Sequence, residues 1–126
     1  MSKTINWKQT QLVWQTMPHV IAAWAFGSAQ SGIVSDDSDV DIGVLMDQSP
    51  SFEEQVDLLT RLQKAIQIEE VDLIILNNAN PHLRFEAISG KLLFCRDPSR
   101  KAAFVSLTAR EYEDEMAFWQ RALLSR

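Results

Sequence analysis

The sequence predicts an α/β fold, with one mixed four-stranded sheet packed with helices. Three observations carry this. Short apolar runs at 19–26, 39–46, 71–77 and 91–96 are the length of strands. Stretches of helical periodicity separate them, in the order α-β-(loop)-β-α-β-α-β-α. No repeat, linker or low-complexity tract interrupts that order, and 126 residues suit one core, so the expectation is a single domain over 1–126.

Residues 7 to 17 carry Trp7, Leu12, Val13, Trp14 and Met17 mostly on one helical stripe, with Asn6 as N-cap and Pro18 as terminator. "HVIAAWAF", 19–26, is continuously apolar up to Gly27, as a strand buried on both faces would be. "DVDIGVLM", 39–46, alternates before turning apolar and reads as the second strand. Ser51 and Glu54 form a capping box for a helix whose stripe is Phe52, Val56, Leu59, Leu62 and Ile66. "VDLIILN" is the third strand. Asn80 and Pro81 open a short helix that Gly90 closes, and "KLLFCR" is the fourth strand. Asp97 and Pro98 start a last helix of about two dozen residues.

Composition narrows the function. Twelve basic residues against 17 acidic ones give a net charge of −5, the wrong sign for direct nucleic-acid binding. An acidic chain does suit a basic protein partner. No run is long enough to span a membrane, the N-terminus lacks a secretory h-region, and the lone cysteine, Cys95, fits a reducing compartment. The expected location is the cytoplasm.

The chemistry concentrates in "AFGSAQSGIVSDDSDVDIGVLM", residues 25–46. Asp39 and Asp41 stand two apart, so on a strand their carboxylates project together and repel unless a cation neutralises them. Oxygen-only ligands favour a hard ion such as Mg²⁺. Asp72 interrupts an apolar strand, where a charge is costly unless paired or metal-bound. Should its strand lie beside 39–46, three acids could hold two ions for displacement at phosphorus. Gly27, lacking a Cβ, lets a phosphate approach the backbone, and Ser28 offers a hydroxyl. Gly32 is expected to let the loop curl over the ligand.

Gly27-Ser28, ten residues, then Asp39-Val40-Asp41 resembles the signature of the minimal nucleotidyltransferases (MNT) of the DNA polymerase β-like superfamily. The likeness runs from about residue 7 to 95, through "VDLIILNNANPHLRFEAISGKLLF", which carries the third acid. Stand-alone members of this size are typically antitoxins of HEPN/MNT toxin–antitoxin pairs. The resemblance implies the polymerase β-like fold and AMP transfer from ATP onto a hydroxyl, such as a tyrosine of a cognate HEPN ribonuclease toxin. It further implies Asp39 and Asp41 as ligands of two Mg²⁺ ions and Asp72 as base and metal ligand. Gly27 and Ser28 would then hold the β- and γ-phosphates. Ser31 departs from the basic residue many relatives carry before the second glycine, which is expected to weaken nucleotide binding.

Two other readings compete. The chain could neutralise a toxin by tight binding alone, or adenylylate a small molecule, although its length leaves little room for a second domain to grip one. Asp37-x-Asp39-x-Asp41 also mimics the start of a calcium loop, but Ile42 stands where that loop needs Gly and Gln48 where it needs Glu. His19 and His82 have no metal-ligand spacing, and Cys95 reads as a small core residue. Arg84 is open between pairing with an acid such as Glu86 and facing the nucleotide or partner. "REYEDEM", 110–116, reads as a solvated helix face or a surface for a basic partner.

Overall fold

The computed structural model describes residues 2–125. A four-stranded sheet runs in the order β5 (Val71–Ile75), β4 (Val40–Met46), β2 (Val20–Phe26), β6 (Lys91–Cys95). β2 is antiparallel to β4 and β6, while β4 and β5 are parallel, so the sheet is mixed as expected. All seven residues of β2 are buried, because it is central and covered on both faces.

One face is sealed by α1 (Gln11–Gln15) and α2 (Phe52–Ile66). Val20, Ala23 and Ala25 of β2 and Val40, Ile42, Val44 and Met46 of β4 share this core with Trp14, Leu58, Leu62 and Ile66. Trp14 Nε1 donates to Thr10 Oγ1 at 3.0 Å, so the large ring is buried without a stranded polar atom. Arg96 Nε donates to Val20 O at 2.9 Å and its Nη2 to Trp14 O at 2.6 Å, tying α1, β2 and β6 together.

The other face carries α3 (Pro81–Ile88) and α4 (Pro98–Leu124) over Ile21, Trp24, Phe26 and Leu45. Arg84 stabilises this layer: its Nε donates to Leu76 O at 2.7 Å, it lies over the Phe104 ring at 5.4 Å, and its Nη1 reaches Glu111 at 3.7 Å. The pairing role is the one it performs, with Glu111 rather than Glu86.

Local signals in the sequence translate closely. Asn6, Ser51, Asn80 and Asp97 each cap the helical segment that follows, and the Ser51–Glu54 box is reciprocal. Three expectations are corrected. The first helix opens as a 3-10 turn over Trp7–Thr10. The third strand stops at Ile75, where Leu76–Asn78 turns back and Asn77 completes β4 by exchanging hydrogen bonds with Met46. In α2 the packed stripe is Leu58, Leu62 and Ile66, whereas Phe52 and Val56 lie more than a quarter-turn round from Leu58 and face solvent. A feature the sequence did not announce is a two-stranded ribbon, β1 (Ser2–Thr4) with β3 (Ile33–Ser35). Its three-residue strands are too short to show a period.

Candidate active site

The two ladders of β4 decide where the acids go. Against β2, Asp41 pairs with Phe26, the last residue before Gly27. Against β5, Asp41 pairs with Asp72. Parallel neighbours in register point to the same face about 4.8 Å apart, and here that face is the one carrying α3 and α4, because Val40 and Ile42 fill the opposite core. The end of β2 and the starts of β4 and β5 thus meet at one rim of the sheet.

Asp41 is half-buried, and its carboxyl is pushed above the ordinary aspartate range. Burial is the main cause, followed by the negative charges of Asp72, Asp39 and Glu86. Asp39 sits just before β4 and is exposed, so it joins the group through its field. Asp72 is exposed too, on the edge strand. The cost assigned to a buried acid there does not apply, since water reaches it; its placement rests on register alone.

Gly27 has φ +64, and a Cβ on it would stand 2.8 Å from Asp41 Oδ2. The space its missing side chain leaves is the space the Asp41 carboxylate occupies, beyond any room it gives a ligand. Ser28 is exposed at the start of the 3-10 turn Gly27–Ser31 that follows. Gly32 closes that turn at φ +83 and its carbonyl accepts from Ile5 N at 2.7 Å. It is therefore a pinned cap, tied to the N-terminal ribbon, and not the supple point expected. Ser31 spends its hydroxyl on the backbone of Ile33, the first residue of β3.

Beside this rim lies a cavity of about 450 Å³, lined by Gly27, Gln30, His82, Phe85, Glu86 and Tyr112, among others. The size is that of a small-molecule site. Tyr112 stacks on Phe85 with ring centroids 4.0 Å apart, and His82 Nε2 lies 3.0 Å from Glu86 Oε1. The sequence reading set His82 aside, took Glu86 only as a partner for Arg84 and left Tyr112 in a solvated or partner-facing stretch, because only the tertiary packing sets where their helices lie over the rim.

The profile of the polymerase beta nucleotidyltransferase family matches residues 8–99. The chain belongs to that family. Chains from solved toxin–antitoxin complexes share the nucleotidyltransferase fold. A complex with AMP-PNP matches at a TM-score of 0.78 and 23% identity, over 96% of this chain and 98% of that one. A mutant MntA–HpeT complex matches at 0.73 and 25%, over 94% of each chain. A tri-AMPylated Shewanella oneidensis HEPN toxin with its MNT antitoxin matches at 0.69 and 23%, over 94% and 92%. No curated protein matches the chain.

For this nucleotidyltransferase the donor set fits a divalent cation in kind: all-oxygen, mutually repelling carboxylates around Asp41. Among the described residues no three His, Cys, Asp or Glu side chains stand ready-made to grip one. The acids form an open set, not a finished cage.

Proposed function

We propose that this nucleotidyltransferase is the antitoxin of a HEPN toxin–antitoxin pair and silences its partner by moving AMP from ATP onto a tyrosine hydroxyl. The observation that carries the reading is the register setting Asp41 beside Asp72, with Gly27 against the Asp41 carboxylate. The toxin–antitoxin neighbours, one with an AMPylated toxin, support the partner class.

In this reading Gly27 and Ser28 bind the β- and γ-phosphates, and Asp39, Asp41 and Asp72 hold Mg²⁺. Bound there, Mg²⁺ would supply positive charge against the triphosphate and offset the repulsion among the three acids. The acceptor oxygen bonds to the α-phosphorus while the bond to the β-phosphate breaks. Pyrophosphate leaves with the electron pair, and Asp72 takes the hydroxyl proton. The cavity at Tyr112 and Glu86 lies on the same rim and gives space for nucleotide or acceptor. No helix among the described residues is long and apolar enough to cross a membrane, and we assign the reaction to the cytoplasm.

Intact-mass spectrometry of the cognate HEPN protein after incubation with this chain, ATP and Mg²⁺ tests the proposal. The expected result is a gain of one or more AMP units, lost with Asp39→Asn/Asp41→Asn and with a folded Asp72→Asn. An unchanged mass alongside a stable complex would leave neutralisation to binding alone.

A further inference from the structure

We infer that the last three turns of α4 are a docking arm that holds the acceptor protein at the acid rim. The inference rests on the transfer reaction proposed above, and names the surface that brings the acceptor to it.

The direction of α4 is fixed by two contacts. Phe104 lies against Trp24, midway along β2, with centroids 6.3 Å apart. Eight residues on, Tyr112 lines the cavity that Gly27 also lines, past the end of β2. The helix therefore runs toward the rim and then beyond it. At about 1.5 Å per residue, the twelve residues from Tyr112 to Leu124 extend it roughly 18 Å further.

The stripe that packs inward does not stop where the domain does. Phe104, Thr108 and Tyr112 continue at helical spacing into Met116, Trp119 and Leu123. Trp119 is 54% exposed, Leu123 61%, and neighbouring Phe118 59%. Phe118 and Trp119 touch edge to face at 5.7 Å and form one apolar tip. Aromatic anchors of this kind are what protein interfaces bury at their centres.

Charge selects the occupant. Between the cavity and the tip stand Glu113, Asp114 and Glu115, which outnumber Arg121, the one basic residue in 111–125, on a chain of net charge −5. A second copy would bring these acids against a chain of the same sign. The occupant that fits is a different protein, with an apolar helix or groove bordered by Lys and Arg.

The test compares the full chain with Trp119→Glu/Leu123→Glu, both positions being exposed, after circular dichroism has shown equal helicity. Binding to the cognate HEPN protein is measured by light scattering on a sizing column and by titration, and AMP transfer by intact mass. The acceptor-independent release of pyrophosphate from ATP is measured alongside. The arm predicts at least tenfold weaker binding and a matching loss of transfer, with pyrophosphate release unchanged. Equal binding by the variant overturns the arm and leaves the transfer reaction standing. Lost binding in the variant, with no AMP transfer even by the unaltered chain, upholds the arm and removes the reaction. A homodimer of the unaltered chain that the substitution dissolves assigns the surface to a second copy and overturns the proposal.

Discussion

The two faces of β4 divide stability from chemistry. Val40, Ile42, Val44 and Met46 look into a core closed by α1 and α2, and all four are buried. One residue out of phase, Asp41 opens onto the other layer, half-buried among like charges at the rim. A period-two strand can serve both purposes because a substitution on one face leaves the other face's contacts intact. The sealed face holds the backbone still, and register then places an acid that would otherwise be repelled by its neighbours. α3 and α4 complete the open face only partly, leaving a cavity at the rim and an apolar tip beyond it.

The largest effect should come from the sealed face. Leu58 is fully buried against β4 from α2. Leu58→Ala should cost about 2–5 kcal/mol in chemical denaturation, by lost burial and a residual cavity. The fraction that remains folded should transfer AMP at the unaltered rate. A fall in rate at full folding would show that the two faces are not separable.

Next comes Gly27. Gly27→Ala puts a Cβ 2.8 Å from Asp41 Oδ2 on a backbone at φ +64, so the carboxylate or the turn must shift. A displacement near 1 Å at a reacting centre costs about a hundredfold in rate, about 2.7 kcal/mol of barrier. Gly32→Ala is the control. Its φ, +83, is also positive, but its Cβ would meet only Ile5 O at 3.4 Å. It should lose about 1–2 kcal/mol of stability from the left-handed backbone alone and keep its rate. Equal loss of rate in both would mean that the loop's backbone, and not the carboxylate's space, is what Gly27 protects.

How much of this was legible follows from the range of each signal. Caps, the four longer strand runs and the spacing of Gly27-Ser28 to Asp39 and Asp41 are local, and the sequence carries the strands to within two residues of their ends. The place of Asp72 was legible only as a condition, that its strand lie beside 39–46, because pairing is non-local; the parallel register meets that condition. Its presumed burial was misread, since an apolar run looks the same on an edge strand as in the middle of a sheet. Glu86 and Tyr112 had no signal that placed them at the rim. Each reaches the rim through the packing of α3 on α4, which Phe85–Tyr112 stacking and the Arg84–Glu111 pair fix in three dimensions.

The smallest effect concerns the open face's own charge. In the metal-free protein Asp41 is held above its ordinary pKa, mainly by burial and then by Asp72, Asp39 and Glu86. The folded chain therefore binds this proton more tightly than the unfolded chain does. Stability falls as pH rises from the ordinary aspartate value through the raised one, and the loss is complete above it. At neutral pH Asp41 is thus a modest liability, discounted further because much of the group faces water. Asp41→Asn, an uncharged isostere, should raise the melting midpoint slightly at pH 7 in EDTA and leave it unchanged well below the ordinary aspartate range. Mg²⁺ should stabilise the unaltered chain and do little for the variant, by mass action on a site the variant lacks. A variant less stable at every pH would mean that Asp41 contributes to packing, and the division between the two faces of β4 would fail at its central residue.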